Sequence, residues 1–114
     1  LNRIVLALVF AGFCGPAGAH AFLEKATPPA GANLRGAPAK IELSFSEALE
    51  PAFSGMTLTN AAGTDMSSAP SVASGTQMSL SLGMLKPGRY SVRWHAVSVD
   101  THRTDGHYNF TVLP

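Results

Sequence analysis

The chain has 114 residues, with eight Lys and Arg against seven Asp and Glu and a formal net charge of +1. It carries no basic run and no basic–aromatic stripe, so nucleic acid and anionic lipid surfaces are not expected partners. Its single cysteine, Cys14, excludes an intrachain disulfide framework.

In chain order, residues 1–19 have the parts of a secretory signal. Asn2 and Arg3 give a polar, positive start, and residues 4–13 form an apolar run too short to span a bilayer. Pro16 breaks the run, and Ala17-Gly18-Ala19 reads as a cleavage signal. Phe13 before Cys14 does not fit a lipoprotein signal, so Cys14 is assigned to the discarded segment. The expected organisation is a cleaved signal peptide over residues 1–19 and one small exported domain over residues 20–114. Cleavage after Ala19 makes His20 the N-terminus, with a free α-amine beside its imidazole. Without Arg3, seven basic residues face seven acidic ones.

After Ala19 the pattern is alternation, punctuated by Gly, Pro, Ser and Asn clusters, which predicts short strands joined by turns. Strands are expected over residues 22–26, 40–46 and 56–59, with a turn at Asn60-Ala61-Ala62-Gly63. Residues 67–75 read as loop or edge strand, and residues 77–82 as a strand. Lys86-Pro87-Gly88 is a turn, followed by a strand over residues 89–99. Residues 103–106 read as a turn before a last strand over residues 107–113. About seven short strands with turns at roughly ten-residue intervals predict an all-β fold, a Greek-key β-sandwich or barrel. Trp94, Phe45, Phe110, Tyr90 and Met78 are its expected core.

The chemistry lies in His20 and in Trp94-His95-Ala96-Val97-Ser98-Val99-Asp100-Thr101-His102. An N-terminal His chelates metal through its amine and ring Nδ1, and the amine's reference pKa of about 8 makes its deprotonation easy near neutral pH. His102 adds a nitrogen. Asp100, two residues away, adds an oxygen and shares its side if strand geometry persists. Three nitrogens and one oxygen suit square-planar Cu(II), which also tops the divalent affinity order, whereas Zn(II) prefers a tetrahedron. Glu47 could supply an outer or axial carboxylate. A second Asp-x-His, Asp105-Gly106-His107, reads as a turn and a solvent-facing strand start, and His95 reads as an exposed strand residue. Met56, Met66, Met78 and Met84 are too dispersed for a thioether cluster.

These residues resemble the CopC family of periplasmic copper-binding proteins across nearly all of the chain after Ala19. The resemblance rests on six stretches: His20-Ala21-Phe22-Leu23; Thr27-Pro28-Pro29-Ala30-Gly31-Ala32; Pro38-Ala39-Lys40-Ile41-Glu42-Leu43-Ser44-Phe45-Ser46-Glu47; Pro87-Gly88-Arg89-Tyr90; the motif from Trp94 to His102; and the final stretch from Gly106 to Phe110. It implies an immunoglobulin-like or cupredoxin-like fold and one Cu(II) bound by His20, Asp100 and His102, with Glu47 associated in some members. It further implies a periplasmic role in copper resistance or delivery, often beside a CopD-type inner-membrane copper transporter. The stretch between Met56 and Met78 lacks the Met-rich cluster that gives some members a Cu(I) site. Arg103 stands where the family usually has Pro, putting a positive charge near the metal. The expected function is a monomeric copper carrier or buffer, not an enzyme. The alternatives are a copper-dependent oxidative enzyme with a histidine-brace site and a non-metal immunoglobulin-like adhesion module.

Overall fold

The computed structural model describes residues 20–114. The expected signal peptide, with Cys14 and the cleavage signal, lies outside the described residues. Apolar–polar alternation resolves into eight strands: β1 (Leu23–Thr27), β2 (Asn33–Leu34), β3 (Lys40–Phe45), β4 (Gly55–Asn60), β5 (Val72–Ser74), β6 (Gln77–Ser81), β7 (Gly88–Val97) and β8 (Arg103–Val112). They form two four-stranded sheets, ordered β1-β3-β6-β5 and β2-β8-β7-β4. All neighbours are antiparallel except β2 and β8.

The period of two decides which side chains enter the space between the sheets. From one sheet come Ile41, Leu43 and Phe45 of β3 with Met78 and Leu80 of β6. From the other come Leu58 of β4, Val92 and Ala96 of β7, and Tyr108, Phe110 and Val112 of β8. The expected sandwich is therefore present, with Phe45, Phe110, Tyr90 and Met78 buried as the alternation required. Tyr90 also donates its hydroxyl to the Lys86 carbonyl at 2.6 Å, fixing the turn into β7.

Several expectations are corrected. β2 is an additional two-residue strand, too short to leave a periodic signature, and it pairs in parallel with Thr111 and Val112. Residues 103–106 are not a turn. They open β8, with Arg103 opposite Val97 and Asp105 opposite His95. The reversal instead occupies residues 98–102, where Ser98 N–H donates to the His102 carbonyl at 2.9 Å and Thr101 N–H to the Ser98 carbonyl at 2.7 Å. Strand alternation misplaced this turn because Thr101, a β-branched residue, adopts the left-handed φ of 74° usually left to Gly or Asn. Trp94 is half-buried rather than central. Its indole packs against Phe45 with ring centroids 5.1 Å apart and lies across Gly106 of β8. His95 is also half-buried, its ring close over Gly55 of β4.

Tyr108 couples the core to pH. Its hydroxyl is buried and donates to the Pro28 carbonyl at 2.9 Å, and desolvation raises its pKa from 10.0 to about 12. Between those values the folded state keeps a proton that the unfolded chain has lost. Stability is therefore intact below pH 10 and declines as pH rises towards 12. Denaturant midpoints measured from pH 8 upwards should show this decline. Tyr108→Phe should be about 1 kcal/mol less stable at neutral pH, from the lost hydrogen bond, and should lack the added alkaline decline.

Candidate metal centre

One end of the sandwich gathers three segments that are distant in sequence. The chain from His20 to Phe22 enters β1 between the bend after β3 and the start of β8. Ser46 secures one side: its N–H donates to the Phe22 carbonyl at 2.9 Å, and its Oγ accepts from Phe22 N–H at 2.9 Å. The same Oγ lies 3.3 Å from the His20 carbonyl. Thr104 of β8 secures the other side, donating its hydroxyl to the Ala21 carbonyl at 2.7 Å. Between them Ala21 is fully buried, a small plug that holds the segment against the core. The bend after β3 also receives the β7–β8 turn, through Val99 N–H to the Ala48 carbonyl at 3.1 Å.

These tethers bring His20 to His102, with ring centroids 4.7 Å apart and planes at 62°. The His102 Nδ1 is 3.3 Å from Asp100 Oδ1. Asp100 Oδ1 also accepts from the hydroxyl of buried Ser98 and faces His102 N–H at 3.4 Å. The Ser98 hydroxyl, ahead of the smaller contribution from His102, holds the Asp100 carboxyl below the usual carboxylate range. Asp100 is thus an anion in the near-neutral range, available to a cation. The structure thus brings the His20 ring beside His102, and Asp100 beside His102, the latter through a tight turn and not through alternation along a strand.

Among the described residues, no three His, Cys, Asp or Glu side chains are grouped closely enough to hold a metal ion. The donor set expected from the sequence adds to the side chains of His20, Asp100 and His102 the backbone nitrogen that joins Ala19 to His20 in the uncleaved sequence. Two imidazoles, one carboxylate and a freed amine have the nitrogen-rich composition that suits Cu(II). Glu47 is half-buried in the bend after Ser46, without a hydrogen bond or ion pair among the described residues.

The second Asp-x-His pair is directed elsewhere. Asp105 and His107 are exposed on the outer face of β8, opposite His95 and Arg93. They line a broad depression of about 600 Å³ that includes His95 but none of His20, Asp100 and His102. Arg103 Nε is 3.6 Å from Asp105 Oδ2, so a neighbouring carboxylate offsets the charge that Arg103 brings towards the turn. Sequence reasoning missed the supports Ser46, Ser98 and Thr104. Hydroxyl residues are common in loops, and only their partners distinguish these three.

The CopC domain profile matches residues 23–113. Protein YobA of Escherichia coli K12 is 39% identical over 115 residues, covering 96% of this chain and 93% of that protein. Copper resistance protein C of Escherichia coli is 38% identical over 124 residues, covering 98% of this chain and 97% of that protein. Among solved structures, CopC from Methylosinus trichosporium OB3b superposes with a TM-score of 0.77 at 28% identity, covering 83% of this chain and 95% of that one.

Proposed function

This chain belongs to the CopC family of copper-binding proteins, and from that premise we propose that it is a periplasmic Cu(II) carrier acting in copper resistance or delivery. The observation that carries this reading is the 4.7 Å approach of the His20 and His102 rings beside the Asp100–His102 pair. Export and cleavage after Ala19 free the His20 amine. The amine and Nδ1 of His20, a ring nitrogen of His102 and an oxygen of Asp100 then hold one Cu(II) as cargo. Glu47 stands by as an outer carboxylate. The site lies at an exposed rim, where cargo can be passed to a CopD-type membrane transporter. No thioether cluster is assigned to Cu(I), because Met78 is buried in the core while Met84 is 90% exposed at a separate position.

An oxidative enzyme would need a coordination position open to oxidant, and on this reading Asp100 would occupy one. Titration of the protein beginning at His20 should show one tight Cu(II) equivalent with a visible ligand-field band. With reductant and oxygen, the loaded protein should release peroxide no faster than protein-free controls. Turnover well above controls would favour the oxidative enzyme, and Cu(II) affinity no better than a short peptide's would favour the adhesion module.

A further inference from the structure

The Asp100–His102 pair does not orient itself. The side chain behind it is Ser98, 1% exposed at the end of β7. Its backbone N–H is engaged with the His102 carbonyl at 2.9 Å, and its hydroxyl donates to Asp100 Oδ1. The same Oδ1 meets His102 Nδ1 at 3.3 Å and His102 N–H at 3.4 Å. One carboxylate oxygen is therefore committed inside the turn three times over, while Oδ2 has no hydrogen-bond or ion-pair partner among the described residues. A ring nitrogen that contacts a carboxylate carries the proton, which leaves the other ring nitrogen with its lone pair. Such outer contacts set ligand tautomer and orientation, and losing one typically costs about 10–100-fold in metal affinity.

We infer that Ser98 is a positioning residue of the metal site. Its buried hydroxyl pins Asp100 Oδ1, so that Asp100 presents Oδ2 to the cargo and His102 is held in the Nδ1–H tautomer with Nε2 as its metal-binding nitrogen. The role rests on the carrier reading for its purpose, but not for its geometry, which can be read in the metal-free protein. The turn is built for this. Thr101 sits at a φ of 74°, a conformation that costs a β-branched residue roughly 1–3 kcal/mol. Its hydroxyl and N–H are both used within the turn, on the Asp100 and Ser98 carbonyls.

The test is nitrogen-15 NMR of His102 in metal-free protein beginning at His20, above the range in which the ring is protonated, for wild type, Ser98→Ala, Ser98→Thr and Asp100→Asn. Thermal transitions confirm that each variant is folded. Wild type and Ser98→Thr should show the Nδ1–H tautomer, and Ser98→Ala and Asp100→Asn a substantial Nε2–H population. Cu(II) affinity should fall at least tenfold in Ser98→Ala, with an altered electron paramagnetic resonance spectrum, and should recover in Ser98→Thr. A wild-type tautomer and spectrum in Ser98→Ala would overturn the role of Ser98. A tautomer shift in Ser98→Ala, with wild type binding copper no better than a peptide, would support the positioning role and overturn the carrier reading instead.

Discussion

Protein that begins at His20 is expected to bind Cu(II) at least about a hundredfold more tightly than the same protein with its His20 amine acetylated, a difference of roughly 2.7 kcal/mol. Acetylation removes one donor and breaks the six-membered chelate, yet leaves both imidazoles and Asp100 in place. The acyl nitrogen that results is a poor ligand near neutral pH. The free amine, by contrast, gives up its proton at about pH 8 in the unperturbed state, so metal displaces it at small cost. Acetylation is a cleaner change than adding a residue, because an added residue brings its own amine next to an intact His. The structure strengthens the expectation by holding the His20 carbonyl beside Ser46 and the Ala21 carbonyl on Thr104, so little ordering is left for the metal to impose. Competition titration against a chelator of known affinity reads the difference. Equal affinities would remove the amine from the site and leave Asp100 and the imidazoles as the only candidates.

Gly106→Ala should destabilise the fold by about 2 kcal/mol, within the range of roughly 1–3 kcal/mol for overpacking. A Cβ at this position would stand 2.7 Å from Trp94 Cζ2 and 3.0 Å from Cε2, closer than carbon atoms approach. The obstacle is a rigid ring, not the end of a flexible chain, and Phe45 confines it from another side at a centroid distance of 5.1 Å. The midpoint of thermal unfolding should fall by roughly 8–16 °C for a domain of this size, and Trp94 fluorescence should shift as the indole moves. In a Trp94→Leu background the same substitution should cost far less, because the clash has been removed. A full-sized loss in both backgrounds would show that the close approach of Trp94 is not the cause.

The sheets were legible in the sequence wherever alternation was long enough to set a face. Ile41, Leu43 and Phe45, or Tyr108, Phe110 and Val112, leave one reading of which side is buried. The sequence reading failed where local preference and tertiary contact part company. β2 is two residues held by the edge of β8, and Thr101 takes a backbone conformation that its own side chain disfavours. For the candidate site, donor chemistry singled out His20, Asp100 and His102. Their approach could not be read, because it depends on Ser46 and Thr104 bonding to carbonyls 26 and 83 residues away. The side of the fold to which His107 turns followed from its parity against Tyr108 and Phe110, whereas Asp105 was read as part of a turn and lies in β8.

The bond from Thr104 to the Ala21 carbonyl links the segment leading into β1 to the last strand across 83 residues. A chain cut after β7 would keep His20 but lose Asp100, His102 and the Thr104 hydroxyl that fixes Ala21. With the proposed site, full copper affinity would be a property of the completed molecule, and partly folded chains should compete poorly for the ion. By mass action, free Cu(II) at a hundredfold above its dissociation constant would add about 2.7 kcal/mol to the unfolding free energy. On the proposed carrier reading, cargo would act as a reversible clasp between the segment at His20 and the β7–β8 turn. On that reading, protein that has handed its copper on should open and be proteolysed more readily than the loaded form.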